Sequence, residues 1–134
     1  MRVVTLDSWD KAHVVAKHRV WGSSHNRFAG WEVGEAIIVL VGREGVVAGK
    51  VSGPAYRSGV KVWDNDVYER RVPLKSVRTV EGGKGPWLNS SIRTILGQHY
   101  GTSIYGYVIL NGERLRDEAT HLIDGLLRSL DPSE

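Results

Sequence analysis

Five tryptophans stand in a chain of 134 residues: Trp9, Trp21, Trp31, Trp63 and Trp87. A core of this size takes one or two such side chains, so the excess raises a second use, stacking on a planar partner. Trp21 lies where a helical segment runs out into Gly22, Ser23 and a polar loop. Trp63 precedes Asp64, Asn65 and Asp66, and Trp87 follows the flexible EGGKGP stretch. Aromatic rings at loop edges are placed to stack on a flat ligand; the alternative is that each plugs the end of a barrel. Polar groups able to read the edge of such a ligand stand nearby. They are the backbone and hydroxyl of Ser23, the Asn26 amide and, from the start of the first helix, Asp7, Ser8 and Lys11. Ser8 is equally an N-cap and Asn26 equally a loop turn.

The formal charge is +3, which mildly favours an anionic partner. Arginine and lysine concentrate before residue 94, and Arg19, Arg27, Arg57, Lys61, Lys84 and Arg93 flank the proposed mouth in sequence. Contacts from these cations to phosphates would make binding fall steeply with salt. Catalytic signatures are sparse. There is no cysteine, which removes disulfides, thiolate zinc sites and thiol nucleophiles together. The chain has no P-loop, G-x-S-x-G or H-E-x-x-H run. His13 and His18 are five apart on one helix and point in different directions. The expectation is therefore a binding module with no catalytic residue, cofactor or metal. No apolar run reaches 18 residues, so no membrane span is expected. The N-terminus lacks the apolar segment of a signal peptide, so a cytoplasmic location is expected.

The elements that must hold these residues follow from pattern. Arg2 to Leu6 alternates and reads as a strand. Ser8 caps a helix with Asp10 in its first turn and Lys17 and His18 at its end. SSHNRFAG is a loop. Ala36 to Val41 and Val46 to Ser52 form a hairpin across a glycine-bounded turn. YERRVPLKSVRTV is a long strand in which Pro73 marks an edge or a bulge. Asn89 and Ser90 can cap a helix reaching about His99, SIYGYVIL reads as a final strand, and Asn111-Gly112 as a turn. Leu115, Ala119, Leu122, Ile123, Leu126, Leu127 and Leu130 form one apolar stripe of a closing helix. The length fits one domain over residues 1–134 with one core. The order of elements argues for an α+β fold: a small, strongly bent, mixed β-barrel with helices packed outside.

The segment KHRVWGSSHN, with Val20, Trp21, Gly22, Ser23 and Asn26, resembles the pocket segment of EVE and YTH domains. Both belong to the PUA-like superfamily. VGEAIIVLVGREGVVAGKVSG resembles the EVE hairpin. Trp63 followed by Tyr68, Arg70 or Arg71, and Val72 resembles the EVE pattern of a Trp and then Tyr-x-Arg-Val. LRDEATHLIDGLL resembles the closing helix of that family. The likeness spans nearly the whole chain in order, through short motifs.

The resemblance implies a PUA-like barrel of about five to six strands with three to four helices. It also implies a non-enzymatic reader of a modified nucleobase, methylated or otherwise altered, in single-stranded or base-flipped DNA or RNA. Trp21 and Trp63 would be the walls of an aromatic cage. By the same likeness, a nuclease or restriction system is the expected functional associate. The chain departs from the pattern at Lys11, where YTH and many EVE domains carry an asparagine. A lysine donates but cannot accept, so the resemblance does not imply N6-methyladenine. Two other readings stay open. ASCH domains share the fold, and some cleave RNA or modified nucleosides; Lys61, Asp64, Asp66 and Arg70 are present, without that family's G-x-K-x-x-E-x-R run. A protein-interaction module without a working pocket would bury Trp21 and Trp63 in its core.

Overall fold

The computed structural model describes residues 1–25, 28–65 and 67–130. Six strands form one sheet in the order β1-β3-β4-β6-β2, with β5 also paired to β6. They are β1 (Arg2–Leu6), β2 (Val20–Ser23), β3 (Ala36–Val41), β4 (Gly45–Val51), β5 (Tyr56–Arg57) and β6 (Arg70–Val80). The helices are α1 (Trp9–His18), α2 (Gly85–Asn111) and α3 (Asp117–Ser129). The sheet is strongly curled but open, a half-barrel in an α+β fold. Among the described residues only β1 and β3 run parallel; the other strand pairings are antiparallel.

The curl has a local cause on β6. Ala48 pairs with Arg78 and Lys50 with Lys75, so β6 carries one residue more than β4 across that interval. Ser76 absorbs the extra residue in a left-handed conformation, φ 53°. A bulge of this kind bends a strand and increases its twist. Beyond it β6 changes neighbours: Leu74 pairs with Val51, whereas Pro73 to Arg70 pair with Val20 to Ser23 of β2. Pro73, which has no N–H to donate, sits at that changeover.

Both faces of the sheet are covered, which divides the expected single core in two. Val4, Ile37, Val39, Val41, Val47 and Val51 face α1 and an aromatic group of Trp21, Phe28, Trp31 and Trp63. Val3, Ile38, Leu40, Val46 and Ala48 face α2 and α3, meeting Leu88, Ile92, Leu96, Ala119 and Ile123. Strands buried on both faces read as continuous apolar runs rather than alternating ones, as AIIVLV of β3 does.

One element differs in kind from its expectation. SIYGYVIL is helical, the C-terminal part of α2 beyond a break at Gly101, where φ is 71° and ψ 171°. β-propensity is outweighed here by packing: Val108 and Ile109 are buried against the sheet while Ile104, Tyr107 and Leu110 face outward. Gly112 ends the helix in a left-handed cap. A strand expected nowhere, β5, forms within Ala55 to Gly59. α2 also starts at Gly85 rather than at Asn89. Among the described residues no helix is long and apolar enough to cross a membrane.

Candidate ligand cavity in the open seam

An open sheet leaves two edges, here β1 and β2. A cavity of about 290 Å³ lies between them. Val4, Thr5 and Leu6 of β1 line one side, and Trp21, Gly22 and Ser23 of β2 the other. Lys11 and Val15 of α1, Ile109 and Leu110 of α2, and Ser24, His25, Phe28, Trp63 and Tyr68 complete it. Its volume stands at the small end of the roughly 300–1,000 Å³ usual for ligand pockets, which suits one planar heterocycle.

Trp21 is a strand residue of β2, opposite Val72, rather than a loop-edge residue. Its indole stacks on Trp31 at 6.2 Å and 27°, and Phe28 meets it edge-on at 5.7 Å. Trp63 lies in a bend and turns its ring onto the backbone of Gly22. A Cβ at that position would stand 2.7 Å from Trp63 Cζ3 and 3.0 Å from Tyr68 Cβ. Glycine is therefore what allows the Trp63 ring to lie on β2. Tyr68 meets Trp63 edge-on at 5.3 Å and holds a left-handed backbone, φ 49°. Sparsely populated conformations of this sort concentrate where a structure holds a site together.

Both indoles line the cavity, yet only 5% of Trp21 and 3% of Trp63 is exposed. The expectation of two open faces at loop edges is corrected accordingly: the rings are core residues that each give part of their surface to a shared cavity. Among the described residues no ring pairing joins the two indoles to each other. The Trp21 indole N–H is buried and has no hydrogen-bond partner among the described residues. A buried donor left unmade costs about 1–3 kcal/mol.

The polar groups divide. Ser23 lines the cavity, and its hydroxyl accepts from the His25 N–H at 3.0 Å. Lys11 lines it as well, with Nζ 3.0 Å from Asp7 Oδ1. That hydrogen bond raises the Lys11 ammonium above its ordinary value and lowers the Asp7 carboxyl. Lys11 stays a cation at the cavity wall. Asp7 is exposed and outside the cavity lining. Ser8 is the N-cap of α1, accepting from Lys11 N at 3.4 Å; it lines a separate groove with Lys11, Trp63, Asp64 and Asn65. Trp87 is 49% exposed and lines neither space. Asn26 and Arg27 lie outside the described residues.

Among the expected phosphate contacts, Arg19, Lys61 and Lys84 are exposed. Arg57 is paired with Glu69 at 3.1 Å. Arg93 is engaged inside the protein, donating to Asn89 Oδ1, Tyr105 Oη and Gly42 O; it ties α2 to the β3–β4 turn. Of the residues weighed for hydrolysis, Asp64 lines the groove beside Ser8 and Arg70 lines a different cavity with Arg57, while Asp66 lies outside the described residues. No cluster of three metal-ligating side chains occurs among the described residues.

Phe28, Tyr68, Thr5 and Leu110 also line the cavity without having been singled out as site residues. Phe28, the single phenylalanine of the chain, stands in an otherwise polar loop, a signal that was legible. Thr5 and Leu110 carry no such mark, because nothing local says that β1 and the end of α2 meet β2 across a seam. Neither family models nor curated proteins give a match for this chain.

Proposed function

We propose that the chain is a non-enzymatic nucleic-acid-binding module that takes one flipped-out, modified nucleobase into the seam cavity, against Trp21 and Trp63. The observation that carries this reading is the cavity itself, the size of one heterocycle and walled by both indoles, Phe28 and Tyr68. A base lifted from its strand loses its stacking and needs aromatic surface in exchange, worth about 1–3 kcal/mol per base. An added methyl extends the apolar contact at about 25 cal/mol per Å². The unpartnered Trp21 N–H stands in a wall residue as a donor awaiting an acceptor, and the Lys11 cation suits a carbonyl oxygen or a phosphate. The EVE-like order of motifs, in the PUA-like superfamily, points to the same use, in DNA or RNA.

Binding of base-modified and unmodified single-stranded oligonucleotides, followed by tryptophan fluorescence, tests the reading in the parent and in Trp21→Phe. The parent is expected to prefer a modified oligonucleotide. The variant, once shown folded by circular dichroism, is expected to lose about 1 kcal/mol of that binding, roughly fivefold. Equal binding of every oligonucleotide by both proteins contradicts it.

One observation favours a second reading, a protein-interaction module without base capture. The near-complete burial of both indoles is what a closed core would give, and Ile104, Tyr107 and Leu110 form an exposed apolar row at helical spacing beside the cavity. That reading predicts no response of the tryptophans to any nucleoside.

A further inference from the structure

α3 meets one corner of the sheet without filling the space between them. A crevice of about 210 Å³ lies there, with Asp124, Leu127 and Arg128 of α3 on one side and residues of β3, β4 and β6 on the other. Register fixes which strand residues face it. Ile38 pairs with Ala48, Ala36 with Lys50, and Ala48 with Arg78. Residues directly opposite on a ladder share a face, and Ile38 and Ala48 belong to the face packed under α2 and α3. Ala36, Lys50 and Arg78 therefore point to that side, and all three line the crevice. It shares no lining residue with the seam cavity.

The bulge at Ser76 matters to this arrangement. Lys75 and Arg78 are three apart, and in a regular strand they would point to opposite faces. The extra residue on β6 puts Lys75 opposite Lys50 and Arg78 opposite Ala48, so both cations fall on the α3 side. Bulges re-aim side chains in this way. Ser76 itself, with its left-handed backbone, lines the crevice.

The lining is apolar below and cationic above. Ala36, Ile38, Ala48 and Leu127 form the floor, and the small side chains of the two alanines leave it open. Lys50, Arg78 and Arg128 line it too, against one acid, Asp124. That acid is already taken up by Arg128, one turn along α3, at 2.8 Å. Lys50 and Arg78 are exposed and make no hydrogen bond or ion pair among the described residues.

We infer that the crevice is a site for a small amphipathic anion. A short apolar chain lies on Ala36, Ile38, Ala48 and Leu127, and a carboxylate or phosphate head sits between Lys50 and Arg78. A guanidinium offers a fork to such oxygens and an ammonium a point charge. A bare inorganic anion would leave the floor wet, and a neutral chain would leave both cations without a partner. A ligand with both parts gains from both. The site stands on the geometry of β4, β6 and α3 and does not depend on base capture in the seam.

Amide chemical-shift titrations of the full chain with butyl phosphate and with butyrate, at constant ionic strength, test it. Saturable shifts from at least one probe are expected at residues 36–38, 48–50, 76–78 and 124–128, and the tighter probe identifies the head group. Inorganic phosphate and butanol, each carrying one half of the ligand, are expected to bind far more weakly. In K50Q/R78Q the affinity is expected to fall about tenfold. Both substituted side chains are exposed, so the fold is expected to persist, with unchanged shifts in α1 and β1. Ala36→Leu fills the floor without altering charge and is expected to weaken both probes. No saturable shift with either probe overturns the inference, as does unchanged affinity in K50Q/R78Q. Inorganic phosphate binding as tightly as butyl phosphate, or full binding in Ala36→Leu, overturns the apolar half of the site.

Discussion

Gly22 carries more of the site than its size suggests. It is legible in the sequence only as the small residue after Trp21; the structure gives it a reason, the Trp63 ring lying on its backbone. Gly22→Ala puts a methyl closer to that ring and to Tyr68 than van der Waals contact allows, so the ring must shift. It is expected to destabilise the fold by about 1–3 kcal/mol, as overpacking does, and to change tryptophan fluorescence by displacing Trp63. Urea unfolding with emission spectra checks both; a variant as stable as the parent with an unchanged spectrum would show that the ring has room. Ser8 belongs at the same scale. Its N-cap hydrogen bond predicts a loss of about 1 kcal/mol for Ser8→Ala with oligonucleotide affinity unchanged, whereas a base-contacting role would lower affinity as well. The tryptophans could be counted from sequence but not seated. Side-chain type says that an indole wants a flat partner; it does not say that Trp21 finds one in Trp31 and Trp63 finds an edge in Tyr68.

At the scale of elements, local patterns read well where a single face decides. α1 was legible from Ser8, Asp10 and the closing Lys17 and His18, and α3 from its leucine stripe. The β3–β4 hairpin follows from two apolar runs around a glycine-bounded turn. Reading failed where a distant partner decides. SIYGYVIL alternates like a strand, yet Gly101 breaks the preceding helix and lets the chain restart with Val108 and Ile109 buried under the sheet. Pro73 marks this strand as an edge or a bulge, but Ser76, where the bulge falls, has no local signature of its own. Asn89 shows how such long-range ties act. Fully buried, it donates through Nδ2 to Gly42 O and Gly45 O and accepts from Arg93. Asn89→Leu removes the side-chain donor to Gly45 O, leaves Gly42 O with Arg93 alone and leaves Arg93 Nε without its acceptor, and is expected to cost about 1–3 kcal/mol. Denaturant melts of Asn89→Leu and Arg93→Met read this, and the pair is expected to be non-additive because the residues share one network.

For the whole molecule, β1 and the segment between α2 and α3 are joined at Glu35 through Arg2 and Arg114. Burial would raise its carboxyl, but the Glu32 N–H and the side chains of Arg114 and Arg2 bond it and hold it below the ordinary carboxylate value. A depressed folded-state value means that the unfolded chain binds the proton first as pH falls, so stability rises with pH in that window. The Glu35 contribution is present above about 4.5 and is lost as pH falls through the lower folded-state value. Glu35→Gln is expected to flatten that acid limb and to lower stability near neutrality; acid titration of the unfolding midpoint checks it, and a limb identical to the parent's would contradict it. The open half-barrel determines where a ligand can sit, since β1 and β2 leave a seam that no local pattern encodes. The most direct test of the central claim is titration of the protein with a base-modified free nucleoside, which carries no phosphate, read by tryptophan fluorescence in the parent and in Trp21→Phe. Saturable quenching in the parent that weakens several-fold in the folded variant is the predicted result; no quenching by any modified nucleoside, or equal quenching in both proteins, would contradict base capture in the seam.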